Sequence, residues 1–155
     1  MNEKLFEAVK NADIDTIKQL IAEGVNVNEK DKYGATALMY AAICGHAEVV
    51  KLLIENGADV NLKNDWKETA LMRAVFSNHT EIVKLLLDNG AYINLKNDWG
   101  YTALMYATRR GQAEVATLLL AKDAKVNEKN ERGETALMEA VIWRKCADIV
   151  RILWG

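Results

Sequence analysis

Apolar positions in this chain recur on two scales. Locally, Leu38, Ala41, Val49, Leu52 and Leu53 fall at the spacing that gives helices a buried stripe. Over longer range the same stripe returns every 33 residues, most visibly as Thr-Ala-Leu-Met at Thr36–Met39, Thr69–Met72, Thr102–Met105 and Thr135–Met138. A fixed period of this length marks a stack of similar units. Each unit is predicted to run turn, short helix, tight turn, longer helix, exit loop. In the unit opening at Asp31-Lys32-Tyr33-Gly34, the helices are expected near Thr36–Cys44 and Ala47–Asn56. Thr36 suits an N-cap, because its hydroxyl can accept an otherwise unpaired backbone N–H. Gly57 suits the left-handed residue that follows a helix. The small Ala41 and Ala42 allow neighbouring helices to approach closely. An elongated scaffold is expected, with neither a closed core nor an enzyme cleft.

Alignment on the tetrapeptide reads residues 1–155 as a single domain, with full units at 31–63, 64–96 and 97–129. Residues 2–30 carry only a helix pair and exit loop. Glu3, Lys4, Glu7 and Lys10 make that first helix polar on one side, as an outer cap should be. The unit at 130–155 is truncated. It also holds one extra residue, since Asp148-Ile149-Val150 lies 100 positions after Glu48-Val49-Val50. The insertion is expected near Trp143–Ala147. Val150, Ile152 and Trp154 leave this end apolar, which is expected either from a cut in a longer array or from packing on another copy. A cut, or simple tolerance of an apolar end, is favoured over packing on another copy.

The stretch Asp31-x-x-Gly34-x-Thr36-Ala37-Leu38-x-x-Ala41-Ala42-x-x-Gly45-His46-x-Glu48-Val49-Val50-Lys51-Leu52-Leu53-x-x-x-Gly57-Ala58-Asp59-Val60-Asn61 resembles the ankyrin repeat, and the match extends over essentially the whole chain. The resemblance implies an all-α solenoid of stacked helix-turn-helix units with projecting β-hairpin-like loops and a concave binding surface. The family usually carries Thr-Pro-Leu-His at the first helix. Here Pro is replaced by Ala37, Ala70, Ala103 and Ala136, and His by Met39, Met72, Met105 and Met138. Pro at a first helical turn is optional, because its missing N–H would be unpaired anyway. The methionines are expected to fill space between repeats. Lys67 stands where other copies have Gly34, Gly100 and Gly133, and Asp123 replaces Gly24, Gly57 and Gly90. If the backbone stays left-handed at both positions, both are locally weak.

Composition narrows the function. A net charge of −2 gives no reason to expect nucleic acid, which calls for a basic stripe. No apolar run is long enough to span a membrane. Cys44 and Cys146, far apart, are expected as free thiols in a reducing, cytoplasmic setting. Ser77 is the single serine, and the two histidines, His46 and His79, share one repeat position. The resemblance gives them a structural hydrogen bond there. No oriented nucleophile–base pair, metal-ligand spacing or phosphate loop is present. No enzyme activity and no cofactor are therefore expected. Glu48 with Lys51 and Glu81 with Lys84 are read as solvated pairs on helix faces. Asn28, Asn61, Asn94 and Asn127, each ending an exit loop, are expected to cap the backbone of neighbouring loops.

By resemblance, partners meet the hairpin tips and the exposed side of each first helix. The residues so placed include Tyr33, Trp66, Glu68, Phe76, Trp99, Tyr101, Arg109, Arg110 and Trp143. Tyr40, Arg73, Tyr106 and Glu139 are expected to border them. Trp, Tyr and Arg are enriched among interface hot spots. A row of Tyr33, Trp66 and Trp99 beside Asp65, Glu68 and Asp98 would suit a protein or peptide segment of apolar and basic character. Against this, Leu62–Trp66 and Leu95–Trp99 have the same wording and read equally as copies of one duplicated unit, with aromatics that merely stiffen the hairpins. The expected function is a monomeric protein-interaction scaffold. The alternatives are a spacer that self-associates through its C-terminal end, or a regulatory domain detached from a larger enzyme or toxin.

Overall fold

The computed structural model describes residues 3–143 and 147–154. It is all-helical, in five antiparallel pairs: α1 (Glu3–Lys10) with α2 (Ile14–Ala22), α3 (Ala37–Cys44) with α4 (Ala47–Glu55), α5 (Ala70–Phe76) with α6 (Thr80–Asp88), α7 (Ala103–Arg110) with α8 (Ala113–Leu120), and α9 (Ala136–Ile142) with α10 (Ala147–Trp154). First helices stack on first helices, α1 through α9, and second helices on second helices, α4 through α10. The helix limits fall within one residue of those the pattern predicts for the unit at Asp31. The extra residue expected near Trp143–Ala147, and Cys146 with it, fall on 144–146, outside the described residues.

Local chemistry sets the helix ends. Thr36, Thr69, Thr102 and Thr135 are extended at the N-cap, and each hydroxyl accepts the N–H of the methionine three residues on. Gly57 follows α4 at φ +86°, in the left-handed region. The leucine of the first three tetrapeptides goes into the core, where Leu38, Leu71 and Leu104 are fully buried, while Leu137 in the fourth is half-buried. Burial of each such side chain is worth about 1.5–3 kcal/mol. Met39, Met72 and Met105 are at most 2% exposed, closed off by the next first helix, whereas Met138 is 49% exposed. The same residue at the same rung thus has two environments, decided by what stacks on it.

Between repeats, side-chain hydrogen bonds add direction. Asn28 Nδ2 donates to the Gly57 carbonyl at 2.9 Å while its Oδ1 accepts the Asp59 N–H at 2.8 Å. Asn61 repeats this with Gly90 and Tyr92, and Asn94 Oδ1 accepts from Lys125 N–H. The expected loop-to-loop capping is therefore present at Asn28, Asn61 and Asn94. His46 and His79 donate Nε2–H to the carbonyls of Lys10 and Ile43, each at 3.0 Å. A carbonyl only accepts, so that nitrogen carries the proton in both rings. The lysine pairing differs from expectation: Lys51 lies 3.9 Å from Glu55, one turn on, and not against Glu48, and no ion pair joins Glu81 to Lys84 among the described residues.

Candidate partner-binding face

The tips are built by an aspartate or asparagine at one rung. Asp31, Asn64, Asn97 and Asn130 each use Oδ1 to accept the N–H groups two and four residues on. This closes a tight turn at each tip. Neighbouring tips are then tied together, with Asp65 N–H donating to Tyr33 O, Asp98 N–H to Trp66 O and Glu131 N–H to Trp99 O at 3.0–3.1 Å. The tips approach so closely that a Cβ on Gly34 would lie 2.4 Å from Asp65 Oδ1. The face is therefore held by backbone bonds from one repeat to the next.

Most of the aromatic residues expected on this face are exposed there. Tyr33 stacks on Trp66 with ring centres 6.0 Å apart and planes 26° from parallel. Trp99 makes no such pair with Trp66 among the described contacts; it lines a cleft of about 390 Å³ with Tyr101, Tyr106, Arg109, Asn130, Glu131 and Arg132. Phe76 is exposed and meets Tyr106 edge-on at 5.8 Å. Arg110 lies over Phe76, its guanidinium carbon 4.2 Å from the ring centre. Arg109 lies over Trp143 at 4.6 Å and over Tyr101 at 5.6 Å.

Two expected contact residues are not surface groups. Glu68 and Tyr101 are both 7% exposed. Glu68 takes Arg73 Nη1 at 2.9 Å, the Tyr106 hydroxyl at 3.2 Å and Asn64 Nδ2 at 3.3 Å. Tyr101 donates its hydroxyl hydrogen to Glu139, whose side chain is fully buried and also accepts from Asn130 Nδ2 and Trp143 Nε1. The Tyr101 oxygen in turn accepts from Arg109 Nη1 at 3.0 Å and Arg132 Nη2 at 3.3 Å. Tyr106 and Glu139 lie beneath the face and join consecutive repeats. Arg132 stands on the fourth tip, where position places it; what was missed is the network that holds it. The legible signal was a spacing of 38: both Glu68–Tyr106 and Tyr101–Glu139 span it, from one tip to the next first helix.

The titrating groups follow these contacts. Burial and the charge and hydrogen bond of Glu68 push the Tyr106 hydroxyl well above its ordinary value. Burial, then the bond to Asp31, pushes Tyr40 up to about 12. Hydrogen bonding to Tyr101, with the nearby Glu134, raises Arg132. Asp98 is 2.6 Å from Lys67 and raises the lysine through that bond and its charge. Of the three acids expected to draw a basic partner, Glu68 and Asp98 are thus already committed within the chain. Among the described residues no group of three or more His, Cys, Asp or Glu side chains is placed to hold a metal, and no helix is long and apolar enough to cross a membrane.

Paired helices stacked rung on rung, with tied tips standing to one side of the first helices, define a helical repeat protein with a preformed face. The family model described as ankyrin repeats matches residues 5–97 and 91–154. The chain belongs to the ankyrin-repeat family. It is 44% identical over 50 residues to myotrophin of Xenopus laevis, a stretch covering 32% of this chain and 42% of that protein. It is 45% identical over 47 residues to ankyrin repeat-containing protein YIL001W of Saccharomyces cerevisiae, covering 30% and 9%. Similarity to the ankyrin repeat, SAM and basic leucine zipper domain-containing protein 1 of Mus musculus is 42% over 48 residues, covering 31% and 10%. The matched stretches therefore span less than half the length of each of these relatives.

Proposed function

We propose that this chain is a protein-interaction module that receives a peptide or protein segment on its tips and first-helix ends, acting as one domain without chemistry of its own. The observation that carries the reading is the row of exposed aromatics, Tyr33, Trp66 and Trp99, mounted on tips already joined by backbone hydrogen bonds. A face ordered in advance loses little conformational entropy on binding, so its contacts convert to affinity. Rigid aromatic anchors of this kind carry most of the energy at interfaces. We assign the module to a reducing, cytoplasmic setting, since Cys44 has an exposed free thiol. The test is capture of partners from lysate of the source cells by the chain and by Trp66→Ala with Trp99→Ala. Loss of the captured proteins with an unchanged circular dichroism spectrum supports the reading; equal capture removes it.

A second reading, self-association, has one observation of its own. Met138 and Val141 are each about half exposed on α9, on a side of the first helix that the following repeat covers at Met39, Met72 and Met105 and at Ala42, Val75 and Thr108, and Ile142 is exposed beside them. The opposite end offers Lys4 and Glu7 to solvent, so a head-to-tail fit would bury charge. A two-fold pairing of C-terminal faces is the version this favours. Light scattering across a concentration series separates it from the monomeric module, and Val141→Lys should abolish any pairing.

A further inference from the structure

The acidic groups on this face are largely occupied, which leaves its charge character to the arginines at the end of α7. Glu68 is bound by Arg73, Glu139 by Tyr101, Asn130 and Trp143, Glu134 by Arg132 and Asn130, and Asp98 by Lys67. Arg109 and Arg110 have no carboxylate within 4.0 Å among the described residues. Their guanidinium carbons lie over rings instead, Arg110 over Phe76 and Arg109 over Trp143. A ring holds the plane of a guanidinium and leaves its N–H edges outward. Of its five N–H groups, Arg109 commits Nη1 to Tyr101. The N–H donors that remain on each suit the fork geometry of a carboxylate.

We propose that the partner segment is acidic, presenting an Asp or Glu carboxylate to Arg109 and Arg110 with an adjoining apolar side chain in the cleft beside Trp99. This rests on the interaction-module reading and reverses the basic partner expected from Asp65, Glu68 and Asp98. Asp65 and Glu131 are the tip acids with no cation within 4.0 Å among the described residues, and they confine the acidic part of the ligand to the arginine pair. The exposed ring of Trp99 and the edge of Tyr106 supply the apolar wall. The ligand is thereby specified in two parts, a carboxylate and an apolar anchor next to it in the chain.

The experiment uses the full chain and two pools of fluorescein-labelled peptides of equal length. One pool combines Asp or Glu with Leu, Phe or Trp; in the other, Lys or Arg replaces each acid. Fluorescence anisotropy should give binding of the acidic pool, weakening as salt rises. Arg110→Gln, which removes no contact inside the buried network, should weaken it by about tenfold or more, as expected for a charge-assisted bond. Arg109→Gln should do the same, with circular dichroism checking the fold. Preference for the basic pool, unchanged binding in both arginine variants, no binding of either pool, or stronger binding of a single-stranded oligonucleotide each overturns the proposal. If Trp66→Ala with Trp99→Ala abolishes peptide binding while the arginine variants do not, the charge assignment fails and the module reading stands.

Discussion

Tyr101 on one tip donates its hydroxyl hydrogen to Glu139 on the first helix of the next repeat, and this contact joins the last two repeats through a fully buried carboxylate. A buried carboxylate without donors is costly, and so are donors left without it. Glu139→Ala strands the Tyr101 hydroxyl hydrogen and Trp143 Nε1, while Asn130 Nδ2 keeps its bond to Glu134. Each stranded group costs about 1–3 kcal/mol. Urea denaturation should therefore give a larger loss for Glu139→Ala than for Tyr101→Phe. The two changes together should cost less than their sum. Strict additivity would mean that the two groups do not interact.

Asp123 and Lys67 both have left-handed backbones, at φ +64° and +57°, where the matching positions in other repeats are glycine. Asp123→Gly should raise stability by about 1 kcal/mol, seen as a higher Tm. Lys67→Gly should gain less, because it also removes the pair with Asp98. Salt screens that pair in the parent. The benefit of Lys67→Gly should thus grow with ionic strength while that of Asp123→Gly stays level.

Asn78 and Gln112 form a linked departure from the pattern at Gly45 and His79. A Cβ on Gly45 would come within 2.5 Å of the His79 ring, so glycine there makes room for the histidine that bonds to Ile43. In the next repeat Asn78 has a Cβ at φ +60°, and the residue in the histidine position is Gln112, whose Oε1 is buried without a partner. Asn78→Gly with Gln112→His should restore the bond, now to the Phe76 carbonyl, and stabilise the chain by more than the sum of the single changes. A thermal-melt double-mutant cycle measures this; a negative coupling would refute it.

Asp31 links acid pH to stability. Burial raises its pKa, but hydrogen bonds from the Tyr40 hydroxyl and the Tyr33 and Ala35 N–H groups, with the charge of Lys10, outweigh burial and hold it below its ordinary 3.8. A carboxylate depressed in the folded state contributes stability above its unfolded pKa and loses it as pH falls through the folded value. Asn64, Asn97 and Asn130 fill the same rung, so Asp31→Asn should keep the turn. It should also flatten this part of the acid-side fall in Tm. Tyr40 acts at the other end. Its neutral form is favoured up to about 12, so that contribution is lost as pH rises through that value.

Much of this was legible in the sequence because the repeat states each local rule several times. The threonine caps, the Gly57 turn, the two histidines and the asparagines of the exit loops work through short-range bonds to fixed neighbours. Their roles recur with period 33 because the same neighbour recurs. Glu68 and Tyr101 were misplaced for the opposite reason. Their partners Tyr106 and Glu139 lie 38 residues on and vary from copy to copy, so no single rung displays the pairing.

By itself the sequence determined the period, the helices, their caps and the side on which aromatics gather, since these follow from patterning and local hydrogen bonding. Tertiary structure alone decided which polar groups remain available. Whether a charge can meet a partner depends on burial and on the counter-group that stacking brings against it. Stacking committed Glu68, Asp98 and Glu139, and left Arg109 and Arg110 over rings with no carboxylate against them among the described residues.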